Sequence, residues 1–182
     1  MGDSMSSMIL NGDTSGAITV TVPAVAGTNT VTIPAAAGTM MVSGNMPTFS
    51  YYETTTATSL GNVSFTKITF DANEWDTTGG MVASSRFTPT IAGYYQISGG
   101  YNTGSTTGQF FVTIYKNGSS FKRGSMVAGG ISGLNTSVSA LVYCNGSTDY
   151  VELYGYQNSG SSVNTALGNS LTYFQGVLVR TA

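Results

Sequence analysis

The stretch VSFTKITFDANEWDTTGGMVASSRFTPTIAGYYQISGGY, residues 63–101, decides how the chain is read. Val63 to Phe70 alternates apolar and polar residues with period two, the pattern of a half-buried β-strand. Val63 and Phe65 then share one face with Lys67 and Thr69, while Ile68 and Phe70 take the other. An acidic loop from Asp71 to Asp76 carries Trp75, and Gly79-Gly80 punctuates it before the strand Ser85-Arg86-Phe87-Thr88. Pro89 ends that strand because it has no amide to donate. Gly93 allows a close turn into Tyr94-Tyr95-Gln96-Ile97.

Outward from this stretch the pattern continues. Asn117-Gly118, between Val112–Lys116 and Ser119–Lys122, is a hairpin signal of the type I′ kind. Asn145-Gly146, between Leu141–Tyr143 and Tyr150–Leu153, is a second with a longer loop. Segments 98–108 and 157–169 read as looser connections, which leaves about ten strands. Of 182 residues only 8% are charged, and Gly, Ser, Thr and Asn stand where a helical protein would carry Lys and Glu. No window supplies helix formers at a 3.6-residue period. The expected fold is all-β, an antiparallel two-sheet jelly-roll sandwich with a short extended N-terminal β arm.

The strands carry apolar residues on both faces. Val151 and Leu153 oppose Tyr150, Glu152, Tyr154 and Tyr156; Phe110, Val112 and Ile114 oppose Phe111 and Tyr115; Leu171, Tyr173 and Val177 oppose Phe174 and Leu178. A sandwich has one inner face per sheet, so the second aromatic face needs water, a ligand or another subunit. Tyr94, Phe111, Tyr115, Tyr154, Tyr156 and Tyr173 are the resulting candidates for a subunit interface.

Six blocks carry a resemblance. They are Phe70-Asp71, Glu74-Trp75-Asp76, Ser85-Arg86-Phe87-Thr88, Ala92-Gly93-Tyr94-Tyr95, Val112 to Gly118 and Tyr173 to Val179. In this order, across residues 49–182, the chain resembles the globular head of the complement q subunit (C-one-q), a tumour-necrosis-factor-like jelly roll. Ala92 departs from the proline usual there, and no acidic cluster marks a calcium site of the family's type. The resemblance implies a homotrimer, whose threefold association buries the second aromatic face, and neither metal nor other cofactor is expected.

Residues 1–48 are of another kind. Residues 18–28, ITVTVPAVAGT, recur at a spacing of 11 as residues 29–39, NTVTIPAAAGT. Two copies of a strand-plus-proline unit cannot enclose a core and must pack on something else. Val20, Val22, Pro23, Val31, Ile33 and Pro34 are the candidate anchor residues, and 40–48 reads as a linker to the knob, 49–182. Such arms resemble those preceding knob domains in structural proteins of tailed bacteriophages. That resemblance implies a virion surface protein assembled in the host bacterial cytoplasm, a head fibre or decoration protein that cements or decorates the capsid. The alternative is a tail-fibre-type knob recognising host-surface carbohydrate or protein.

Composition excludes several classes. With no histidine there is no Ser-His or Cys-His couple, and an enzyme is not expected. Six scattered Lys and Arg residues make no basic patch for nucleic acid. No apolar run approaches the roughly 20 residues that cross a bilayer, and Met1-Gly2-Asp3-Ser4 lacks the pattern of an export signal. The lone Cys144 reads as a buried thiol. Asp71, Trp75 and Asp76 are candidate contacts for a sugar ligand, against the plainer reading in which Trp75 plugs one end of the sandwich. The partners expected are further copies of the chain, capsid or tail proteins, and a host-surface glycan.

Overall fold

A computed structural model describes residues 7–182 except 26, 33, 34, 36, 39, 43, 45, 78, 83, 84, 106 and 130–133. Two compact units result, Met1–Gly38 and Thr39–Ala182. The first contains a hairpin of β1 (Ser7–Asn11) and β2 (Ala17–Thr21), with Met8 opposite Val20 and Leu10 opposite Ile18.

The second unit follows from the alternating pattern. Its strands are β3 (Thr48–Tyr52), β4 (Ser59–Leu60), β5 (Ser64–Lys67), β6 (Ala72–Asp76), β7 (Met81–Val82), β8 (Arg86–Phe87) and β9 (Ala92–Thr103). There follow β10 (Gln109–Lys116), β11 (Ser119–Arg123), β12 (Val127–Ala128), β13 (Leu134–Asn145), β14 (Val151–Gln157), β15 (Val163–Asn164) and β16 (Tyr173–Thr181). One sheet has the order β13-β9-β16-β3-β6, and the other runs β11-β10-β14-β8-β7 with β12 also pairing β10. All the strand pairs in both sheets are antiparallel. Eleven of the described strands, in two facing sheets with these crossovers, make a jelly roll.

The core is what the alternation places between the sheets. Phe110, Val112 and Ile114 of β10, Val151 and Leu153 of β14, Tyr95 and Ile97 of β9, and Phe174 and Leu178 of β16 are all buried. Rings connect the sheets: Phe49 lies 4.2 Å from Phe87 and 5.3 Å from Phe174, and Phe87 meets Tyr95 edge-on at 5.5 Å. Gly176 lets Phe49 come this close, because a Cβ there would stand 2.7 Å from the Phe49 ring. At the Asn117-Gly118 turn both residues have positive φ, 52° and 76°, as a type I′ hairpin requires.

Four sequence expectations are corrected. Residues 72–76 form edge strand β6 rather than a loop. Ser98 to Thr103 belongs to β9 rather than to a connection, its pairing with β13 continuing to Thr103 opposite Leu134. Gly93 sits within β9, not at a turn, and is needed because a Cβ there would meet the Arg180 carbonyl at 2.5 Å. The two 11-residue copies are not equivalent: only the first enters a strand, and residues 29–32 form none. The first copy has an apolar partner upstream, Met8-Ile9-Leu10, reached through the turn between Gly12 and Gly16, where the Gly12 amide donates to the Gly16 carbonyl.

Candidate functional site

The sheet β13-β9-β16-β3-β6 turns one face to the core and the other outward. On the outward face, side chains fall in rows across the strands. Tyr143, Tyr94 and Arg180 make one row; Leu141, Gln96 and Val177 the next; Ser139, Ser98 and Gln175 the third. Apolar groups are exposed on the first two rows, with Leu141 at 50% and Tyr143 at 42%. A bulge between Leu178 and Arg180 also turns Val179 outward. The third row is polar but internally satisfied: the Gln96 amide donates to Ser139 and the Gln175 amide to Ser98. Fully burying an exposed Leu or Val contributes about 1.5–3 kcal/mol, and these side chains, already about half covered, have a part of that left to gain from a cover.

Of the six interface candidates, Tyr94 and Tyr173 lie on this face. The other four lie on the opposite sheet, so the six do not form one surface. Phe111 stacks on Tyr156 at 4.5 Å, and Tyr115 stacks on Tyr154 at 3.9 Å. Phe65 of β5 packs on Phe111, Tyr115 and Tyr156, with centroids 5.7, 5.8 and 5.3 Å away. The Arg123 guanidinium lies 3.4 Å above the Phe111 ring, and Phe111 is only 4% exposed. The expectation that this second aromatic face lacks cover within its own chain is thereby corrected: Phe65 and Arg123 supply much of it.

The sequence reading missed Leu141, Tyr143, Val177 and Val179 as interface candidates. Their signal was present, since Val142 and Cys144 are buried and strand alternation sends Leu141 and Tyr143 the other way.

Asp71, Trp75 and Asp76 do not converge on a ligand. Asp71 accepts hydrogen bonds from the amides of Thr54, Thr55 and Thr56 and from the Thr55 hydroxyl. These bonds hold its carboxyl down at about 2 and fix the loop after β3. Asp76, near the other end of β6, accepts from the Tyr51 hydroxyl at 3.0 Å and the Gly79 amide. Trp75 does not plug the sandwich. It is 46% exposed on the outward side of β6, opposite Ser50, and its indole N–H donates to the Thr48 hydroxyl. It borders a depression with Gln96, Gln175 and Val177, continuous with the outward face.

On the arm, Met8, Leu10, Ile18 and Val20 share one hairpin face and are all about half or more exposed. Val22 and Val31 are exposed at 57% and 89%, and Pro23 is exposed beyond the end of β2. Ile33 and Pro34 lie outside the described residues. Met8, Leu10 and Ile18 were not among the sequence candidates, because the 11-residue repeat drew the reading past β1. No charged side chain occurs from residue 14 to residue 52.

Two buried acids serve the fold. Glu152, 2% exposed, is paired with Lys67 at 3.3 Å and Arg86 at 2.9 Å. Glu53 has no cation partner among the described residues and accepts from Thr58 and Thr165; desolvation pushes its carboxyl up. Among the described residues no group of three or more His, Cys, Asp or Glu side chains is placed to hold a metal ion. Among the described residues no helix is long and apolar enough to cross a membrane.

No family model matches the sequence, and no curated protein matches it. Solved structures do match. Murine APRIL at pH 8.0 is 10% identical with a TM-score of 0.59, the match covering 74% of this chain and all of that one. The globular domain of zebrafish complement 1qA protein is 15% identical with a TM-score of 0.58, covering 76% and 100%. The Eiger TNF from S. frugiperda is 5% identical with a TM-score of 0.60, covering 75% and 94%. Of the six blocks, Ser85–Thr88 spans β8, Ala92–Tyr95 opens β9, Val112–Gly118 closes β10 and its turn, Tyr173–Val179 forms most of β16, and Glu74–Asp76 lies in β6 rather than in a loop. At these identities the likeness is one of fold: the second unit of this chain is a jelly roll of the tumour-necrosis-factor and complement-q type.

Proposed function

We propose that the chain is a non-enzymatic homotrimeric surface protein of a tailed-phage particle, with its arm, residues 1–48, docked on the capsid and its knob, 49–182, displayed outward. The observation that carries the reading is the hairpin β1–β2, one face of which is Met8, Leu10, Ile18 and Val20, all exposed. An isolated two-stranded hairpin is marginal in water, and a neutral apolar face on it favours a protein surface as its support. Trimer formation belongs to the knob, through the outward rows that hold Tyr94, Tyr143, Leu141 and Val177.

Deleting residues 1–39 tests the division. The expected result is a trimer that no longer enters particles; a truncated chain that still enters them at the normal level overturns the anchor. Antibody against residues 49–182, imaged on particles, places the chain. Label over the head supports decoration, and label confined to the tail replaces it with the host-recognition reading.

A further inference from the structure

One polar atom stands apart on the sheet β11-β10-β14-β8-β7. Thr113 is 1% exposed, and its hydroxyl has no hydrogen-bond partner among the described residues. It lies on the outward face of β10 between Phe111 and Tyr115, opposite Tyr154 on β14 and Arg123 on β11. The Phe111–Tyr156 and Tyr115–Tyr154 stacks stand on either side of it. Phe65, in contact with rings of both stacks, therefore covers the gap in which this hydroxyl is held.

Phe65 itself is 45% exposed and rides on β5, a four-residue strand. The residue two before it, Val63, has φ of 54°, a conformation costly for a β-branched side chain. The cover of the box is thus half-solvated, like the exposed Arg123 beside it, and rides on a segment under strain. Arg123 stacks on Phe111 and has no carboxylate partner among the described residues.

We propose that this box is a binding site for a single pyranose ring, admitted when Phe65 swings aside. Aromatic walls with a few placed polar groups are the usual make-up of a small-molecule site. The sugar takes the place of the Phe65 ring, which meets Phe111, Tyr115 and Tyr156 edge-on or tilted, and a ring hydroxyl pairs with Thr113. Arg123 makes the preferred sugar a uronic acid, since its planar guanidinium matches a carboxylate in two parallel hydrogen bonds. The site belongs to the knob and does not depend on how the arm is anchored.

Titrating the full chain with D-glucuronic acid and with methyl glucopyranoside, followed by calorimetry and saturation-transfer NMR, tests it. Glucuronic acid binds more tightly than the neutral sugar. Phe65→Ala tightens binding by about tenfold, the scale of freeing one aromatic contact, and Thr113→Val weakens it by about tenfold, the scale of one hydrogen bond. Arg123→Gln weakens glucuronic acid alone. Absence of sugar binding in both the native chain and Phe65→Ala overturns the site, as does Thr113→Val binding unchanged while its melting temperature shows it folded. A proline-rich peptide that occupies the platform where neither sugar does also overturns it.

Discussion

Tyr94 and Tyr143 stand directly opposite each other on β9 and β13, ring centroids 5.4 Å apart, with both side chains turned away from the core. Their inward neighbours Tyr95 and Val142 are fully buried. The pair therefore marks the boundary between what the subunit buries for itself and what it leaves to others. If this face joins subunits, Tyr143→Lys places three charges around an apolar contact and converts the trimer to monomers at micromolar concentration. Light scattering reads the mass and circular dichroism checks the fold; an unchanged trimer removes Tyr143 from the interface.

Glu53 sets a pH dependence. Burial raises its carboxyl pKa above the unfolded value of 4.5. The folded state thus holds the proton more tightly than the unfolded one, and stability present below about pH 4.5 is lost as pH rises through the folded value. Glu53→Gln keeps acceptor and donor capacity toward Thr58 and Thr165 without the charge. The variant melts higher than the native chain at neutral pH, and the two converge in acid. A native-chain advantage at neutral pH contradicts the assignment. Asp71, lowered to about 2 by the amides it accepts from, works in the other direction, and its contribution disappears only as pH falls through that value.

Phe174 joins the ring cluster at its centre, 5.3 Å from Phe49 and 5.8 Å from Phe70. Phe174→Ala leaves a cavity between two sheets that cannot collapse onto it, and costs about 3–5 kcal/mol in denaturant unfolding. Phe65→Ala, on the half-exposed outer face, costs much less. Equal losses at the two positions would contradict the partition of rings into core and cover.

Cys144 is fully buried, and desolvation pushes its thiol up to about 11. Almost none of it is thiolate at neutral pH. A disulfide reagent reacts with the folded chain no faster than the chain opens, and stoichiometrically in denaturant. Rapid reaction of the folded chain would show Cys144 to be accessible.

The jelly roll was legible because alternation and turn chemistry are local: Val112 to Gly118 specifies a strand face and a type I′ turn within seven residues, and both are present. Pairing across long separations was not. Phe111 and Tyr156 each look like a ring in need of a partner, and only the register of β10 on β14 shows that they serve each other. Phe65 covers them from a segment whose alternation says which face it takes but not what lies against that face. The arm misled for a different reason. Sequence identity between the two 11-residue copies suggested equal structure, whereas strand formation depends on a pairing partner, and only the first copy has Met8-Ile9-Leu10 beside it.

In the proposed trimer the outward face of β13-β9-β16 joins three copies of the chain. Sedimentation equilibrium of the purified chain over a hundredfold range of concentration tests it most directly. The expected result is one species with three times the 18.8 kDa of a single chain, unchanged on dilution into the micromolar range. A species of 18.8 kDa throughout would contradict it.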